Sequence, residues 1–89
     1  MNKQPIQSQL EKLHAELQEA ESPDRKEREL LERLALDIRN ILEKGSDSPQ
    51  QYIGLGERLK DAIAELEASH PRATLSMRQV IDQLAYLGI

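Results

Sequence analysis

The residues of this chain able to do chemistry are few, and two pairs of them share one spacing. Glu11-Lys-Leu-His14 and Glu67-Ala-Ser-His70 both read Glu-x-x-His. On a helix, residues i and i+3 share a face, and bundles that bind two metal ions use two such motifs with two further inward glutamates. No glutamate falls inside the apolar stripes of this sequence to complete that set. Glu11 points away from the leucine seam of its own segment, and Pro71 breaks the face beside His70. No metal or other cofactor is therefore expected. His14 reads as a half-exposed flank and His70 as a corner residue that caps the helix after it.

A second constellation lies in the stretch LSMRQVIDQLAYLGI, which resembles the recognition helix of a winged helix-turn-helix. Arg72, Arg78 and Gln79 would then face phosphates and base edges. The acidic balance of the chain, a formal charge of −4, opposes that reading, and Ser69-His70-Pro71 lacks the usual turn chemistry of the motif. Other chemistry is missing. Gly54-x-Gly56 follows no strand, so it is not a phosphate loop. There is no Cys, hence no thiolate ligand, disulfide or Cys nucleophile, and a reducing cytoplasm suits the chain. An enzyme is not expected.

Amphipathic helices must carry whatever function remains. Ile6, Leu10, Leu13, Leu17 and Ala20 step by four and three, which predicts a first helix from Pro5 or Ile6 to Glu21. Ser22-Pro23-Asp24 then reads as a serine cap, a first-turn proline and an acid at the positive end of a second helix. That helix runs to about Lys44, with Gly45 as its stop. Leu30, Leu31, Leu34, Ala35, Ile38, Ile41 and Leu42 give it the widest apolar face, which marks it as the central helix. Leu36 falls opposite, on a surface laced with Glu27, Arg28, Glu29, Glu32, Arg33 and Arg39.

The second half starts less clearly. A third helix begins either at Pro49, capped by Ser48, or only near Leu55, because each interior glycine costs about 1 kcal/mol relative to alanine. The later start is preferred, with the helix continuing to Ser69 on the face Leu55, Leu59, Ala62, Ile63 and Leu66. A fourth runs from Pro71 or Arg72 to Leu87. Its core stripe is Ala73, Met77, Val80, Ile81, Leu84 and Leu87. The opposite side gathers Leu75, Gln79, Asp82 and Tyr86, two apolar residues with two hydrogen-bonding ones between them. These four residues are the candidate partner-contact surface, with tyrosine as its anchor.

The run Glu67-Ala-Ser-His-Pro, then Met77-Arg78, Val80-Ile81, Leu84 and Leu87-Gly88-Ile89, resembles the C-terminal signature of a small bacterial family. That family is catalogued as a domain of unknown function, number four-four-zero-four. The likeness is carried mainly by Arg58 to Ile89, with Ser22-Pro23 and a leucine-spaced acidic helix corresponding before it, and Leu75 at a position where a small residue is expected. The resemblance implies an all-helical fold and a bacterial source, and lends no activity.

The 89 residues suit one domain near the lower size limit for a self-sufficient core. With no Phe or Trp and only Tyr52 and Tyr86, that core must be built from aliphatic contacts, and self-association would supplement it. No apolar run approaches the roughly 20 residues needed to span a bilayer, and MNKQPIQSQLEKLH lacks the apolar stretch of a signal peptide. The expectation is an all-α, cytoplasmic protein of two helical hairpins, about 5–44 and 55–87 around a loop at 45–54, completed as a homodimer. Its expected role is non-catalytic protein–protein interaction, with no membrane and no small-molecule substrate. The alternative is a small DNA-binding regulator reading through Arg72, Arg78 and Gln79.

Overall fold

The computed structural model describes residues 5–45 and 49–88. Four helices follow one another: α1 (Pro5–Glu19), α2 (Arg25–Lys44), α3 (Pro49–Leu66) and α4 (Pro71–Tyr86). No strand occurs among the described residues. Short connections force sequence neighbours to run antiparallel, and α4 packs against α1 to close the ring. The radius of gyration of 12.4 Å is close to the roughly 12 Å expected for a compact chain of this length.

The apolar stripes converge on one aliphatic core. Ile6, Leu10, Leu13 and Leu17 of α1 meet Leu31, Leu34, Ile38 and Ile41 of α2, and then Leu55, Leu59, Ala62 and Leu66 of α3. Ala73, Met77, Val80 and Leu84 complete it from α4. Each fully buried leucine contributes about 1.5–3 kcal/mol of transfer free energy, so many such residues substitute for the missing large aromatics. Ile81 is half-buried against the core and Leu87 is 48% exposed, so the expected α4 stripe leaves the core after Leu84. Thr74 and Ser76 are buried in its place. Both hydroxyls are satisfied, and Ser76 ties α4 to α1: Thr74 Oγ1 donates to the Pro71 carbonyl of its own helix at 3.0 Å, and Ser76 Oγ to the Glu16 carboxylate of α1.

Local chemistry moves several boundaries. α1 ends at Glu19, two residues before the expected Glu21, with Ala20 N–H closing the last turn on Glu16 O. The start of α2 corrects the serine-cap reading. Asp24 is the N-cap, its φ of −80° and ψ of 119° extended and its carboxylate accepting from Lys26 N–H at 2.8 Å and Glu27 N–H at 3.3 Å. Pro23 precedes the helix rather than occupying its first turn. Gly45, at φ 71°, ends α2 as expected, since few other residues adopt that geometry without strain.

α3 starts at Pro49, the earlier of the two expected positions, and its proposed cap Ser48 lies outside the described residues. Packing has overridden the two glycines: Leu55 and Leu59 are fully buried, and Gly56 lies beneath Leu84. The helix stops at Leu66, so Ser69 belongs to the turn before α4. The expected centrality of α2 also fails. Its broad stripe packs strongly on α1 but only lightly on α3, while α1 and α4 make the extensive contacts. Width of an apolar face records how much it can bury, not how many neighbours it meets.

Candidate interaction surfaces

α4 places Leu75, Gln79, Asp82 and Tyr86 on its outer side, opposite Met77, Val80 and Leu84. Tyr86 is 85% exposed and Leu75 57%, and Asp82 is exposed beside them. Gln79 is half-buried. Leu75 stands in the second turn of a helix that begins at Pro71, so its exposure does not come from an irregular start. A large side chain held outward on a formed helix keeps its apolar area in contact with water.

The basic residues of α4 are arranged differently. Arg78 pairs with Glu67 beyond the end of α3, while Arg72 is exposed beside a cleft that also contains Glu16 and Glu19. Arg78, Arg72 and the half-buried Gln79 therefore do not form an uninterrupted basic face.

The second outward-facing surface belongs to α2. Leu36 is 56% exposed, as its position opposite the stripe requires. Beside it, α1 and α2 enclose an open groove of about 530 Å³ with Leu17, Ala20, Leu31 and Ala35 at its floor and Arg28, Glu32 and Arg39 along one wall. His14, from the first Glu-x-x-His, borders this groove.

The second Glu-x-x-His does not share a helix face, because Glu67 and His70 both lie beyond Leu66. His70 holds the N-cap position of α4 at φ −135°, but its side chain makes no capping hydrogen bond. The expectation that it caps is corrected: the ring turns instead toward α2, with Nε2 3.5 Å from Glu27 Oε1 and outside hydrogen-bond geometry. Glu27 collects the corners of both hairpins. Ser22 Oγ donates to its Oε1 at 2.9 Å and Ser69 Oγ to its Oε2 at 3.0 Å. Arg28 Nη1 adds a bond to the Ser22 carbonyl at 3.1 Å.

Sequence reasoning had put Glu27 on a solvated face. Its position in the first turn of a capped helix, just after a Ser-Pro corner, was the available signal, but the 42-residue separation from Ser69 was not readable. The cluster is a structural tie between corners. Among the described residues no group of three or more His, Asp or Glu stands together as metal ligands.

No described helix is long and apolar enough to cross a membrane. A family model described as "Domain of unknown function (DUF4404)" matches residues 6–89. The match takes in both hairpins, well beyond the C-terminal stretch that carries the resemblance in the sequence. No curated protein and no solved structure matches the chain.

Proposed function

We propose that this chain, which belongs to the DUF4404 family of domains of unknown function, is a non-catalytic interaction module that self-associates and docks on a second protein through helix faces. The observation that carries this reading is the outer side of α4, where Tyr86 at 85% exposure and Leu75 at 57% flank two polar residues on one formed helix. Tyrosine suits such a role because it combines large contact area with a polar tip and has few rotatable bonds to immobilise. Exposed Leu36 on α2 and Leu87 after α4 add apolar surface that folding of one chain leaves in water.

Sedimentation of the full chain across micromolar concentrations tests the first part. Self-association with rising concentration is expected, and a compact monomer at high micromolar concentration would overturn the homodimer. Titration against mixed duplex DNA at low and high salt tests the competing class of function. Weak or absent binding is expected from a chain with a net charge of −4. Tight binding that falls steeply with salt would replace the interaction reading with a nucleic-acid one.

A further inference from the structure

We propose that the α1-facing outer side of α2 is the homodimer interface, with α2 of one protomer crossing its partner's α2 antiparallel about an axis between Ala35 and Leu36. The proposal rests on the self-association reading above and assigns it to one face. It leaves the Leu75–Tyr86 surface of α4 free for a different protein.

The order of charges along that face favours this pairing. At 100° per residue, Arg28, Glu32, Ala35, Leu36, Arg39 and Glu43 lie within about one quadrant of α2. Read from the N-terminus, the order of these six is base, acid, apolar, apolar, base, acid; Arg25, at the head of the helix, shares the face but pairs with Glu29 at 3.5 Å and stands outside this order. Reversing the direction exchanges every base for an acid.

A two-fold axis between Ala35 and Leu36 therefore sets Arg28 against the partner's Glu43 and Glu32 against the partner's Arg39. Leu36 then meets the partner's Ala35. Symmetry makes each contact twice, as an isologous interface requires. A parallel pairing in register would set like charges together, which is unfavourable. Displacing the antiparallel axis onto Leu36 itself would set Arg28 against Lys44 and Glu32 against Asn40, with neither acid–base pair formed. The pattern thus selects both orientation and register.

The structure supplies the surface this pattern needs. Leu36 is exposed at the middle of the face, and Leu17, Ala20, Leu31 and Ala35 line the adjoining groove. Arg39 and Glu43 already pair along the helix at 3.0 Å with both side chains more than half exposed, so their partners across the axis would join an existing network. Glu32 has no ion pair among the described residues.

A charge-swap series on the full chain, read by sedimentation equilibrium with helicity checked by circular dichroism, tests the face. Glu32→Arg sets two arginines together across the axis, and Arg39→Glu sets two glutamates together. Each should weaken the dimer by about tenfold or more, since two symmetry-related pairs turn from attraction to repulsion. The double variant restores opposite charges and should return the dissociation constant to within about threefold of the parent. Additive weakening in the double variant would overturn the antiparallel register.

A monomeric parent at high micromolar concentration would overturn this proposal together with self-association. A parent dimer that survives both swaps and dissociates on Leu75→Ser with Tyr86→Ser would leave self-association standing and move its interface to α4.

Discussion

Glu27 shows how much one side chain can do in a protein this small. It accepts from Ser22 and Ser69 and stands beside His70, so the Ser-Pro corner and the Ser-His-Pro corner are held by the same carboxylate. Glu27→Ala leaves both hydroxyls without that acceptor, in a pocket where the glutamate side chain is 22% exposed. A loss of about 1–2 kcal/mol is expected, read as a lower denaturant midpoint at unchanged slope. Asp24→Ala should cost about 1 kcal/mol by uncapping α2. Equal midpoints for Asp24→Ala and the parent would show that the cap adds nothing. The surface residues of α4 behave oppositely. Leu75→Ser with Tyr86→Ser should leave helicity and midpoint unchanged, because neither side chain contributes to the core. Unfolding of that double variant would place them inside it.

At the scale of elements, α3 is where local preference and tertiary packing disagree. Gly54 and Gly56 lie in its second turn, and burial of Leu55 and Leu59 holds the helix through them. A Cβ at position 56 would meet Leu84 Cδ1 at 3.6 Å, an ordinary contact. Gly56→Ala should therefore raise stability by about 0.5–1 kcal/mol through lower backbone entropy in the unfolded chain. A fall in the denaturant midpoint would show that Leu84 cannot accommodate the methyl group.

The same conflict explains what was legible in the sequence. The leucine steps of α1 and α2 and the Pro71 corner each carry a periodic or covalent signal, and the structure places them as read. The start of α3 was ambiguous because its glycines are unfavourable locally, and the helix holds through them only once Leu55 and Leu59 are buried and α4 covers Gly56. Thr74 and Ser76 were missed because periodicity counts apolar residues, whereas small polar side chains can be buried where they find acceptors, Thr74 within α4 and Ser76 on α1. Asp24 and Ser22 offer the same kind of oxygen two positions apart, and only the observed backbone angles decide which one caps. The exposure of Leu75 and Tyr86 was legible because both break the stripe pattern, while the half-burial of Gln79 was not, and nothing in a helical wheel identifies a partner.

For the whole molecule, packing is heavy where α1 meets α2, where α1 meets α4 and where α3 meets α4, and light only between α2 and α3. Leu13 of α1 is fully buried, and Leu13→Ala should cost about 2–5 kcal/mol, a large fraction of the roughly 4–13 kcal/mol available to a domain of this size. The lighter α2–α3 side is bridged by Arg58 and Asp37 at 3.0 Å, with their side chains 48% and 28% exposed. Arg58→Ala should cost less than about 1 kcal/mol, because a partly exposed ion pair gains little over its hydrated state. Thermal or chemical unfolding of both variants under one buffer checks the contrast. A larger loss from Arg58→Ala than from Leu13→Ala would contradict the placement of stability.

Around the bundle the helices run α2, α1, α4, α3, and the joint between the last and the first is the light one. A ring with one weak joint has a preferred place to breathe. Transient parting there would wet the facing sides of α2 and α3 while α1 and α4 stay together, so amide protons of α2 and α3 should exchange with solvent at lower opening cost than those of α1 and α4. The order of the chain would then not be the order of its protection: the first and last helices, farthest apart in sequence, would form the slowest-exchanging pair.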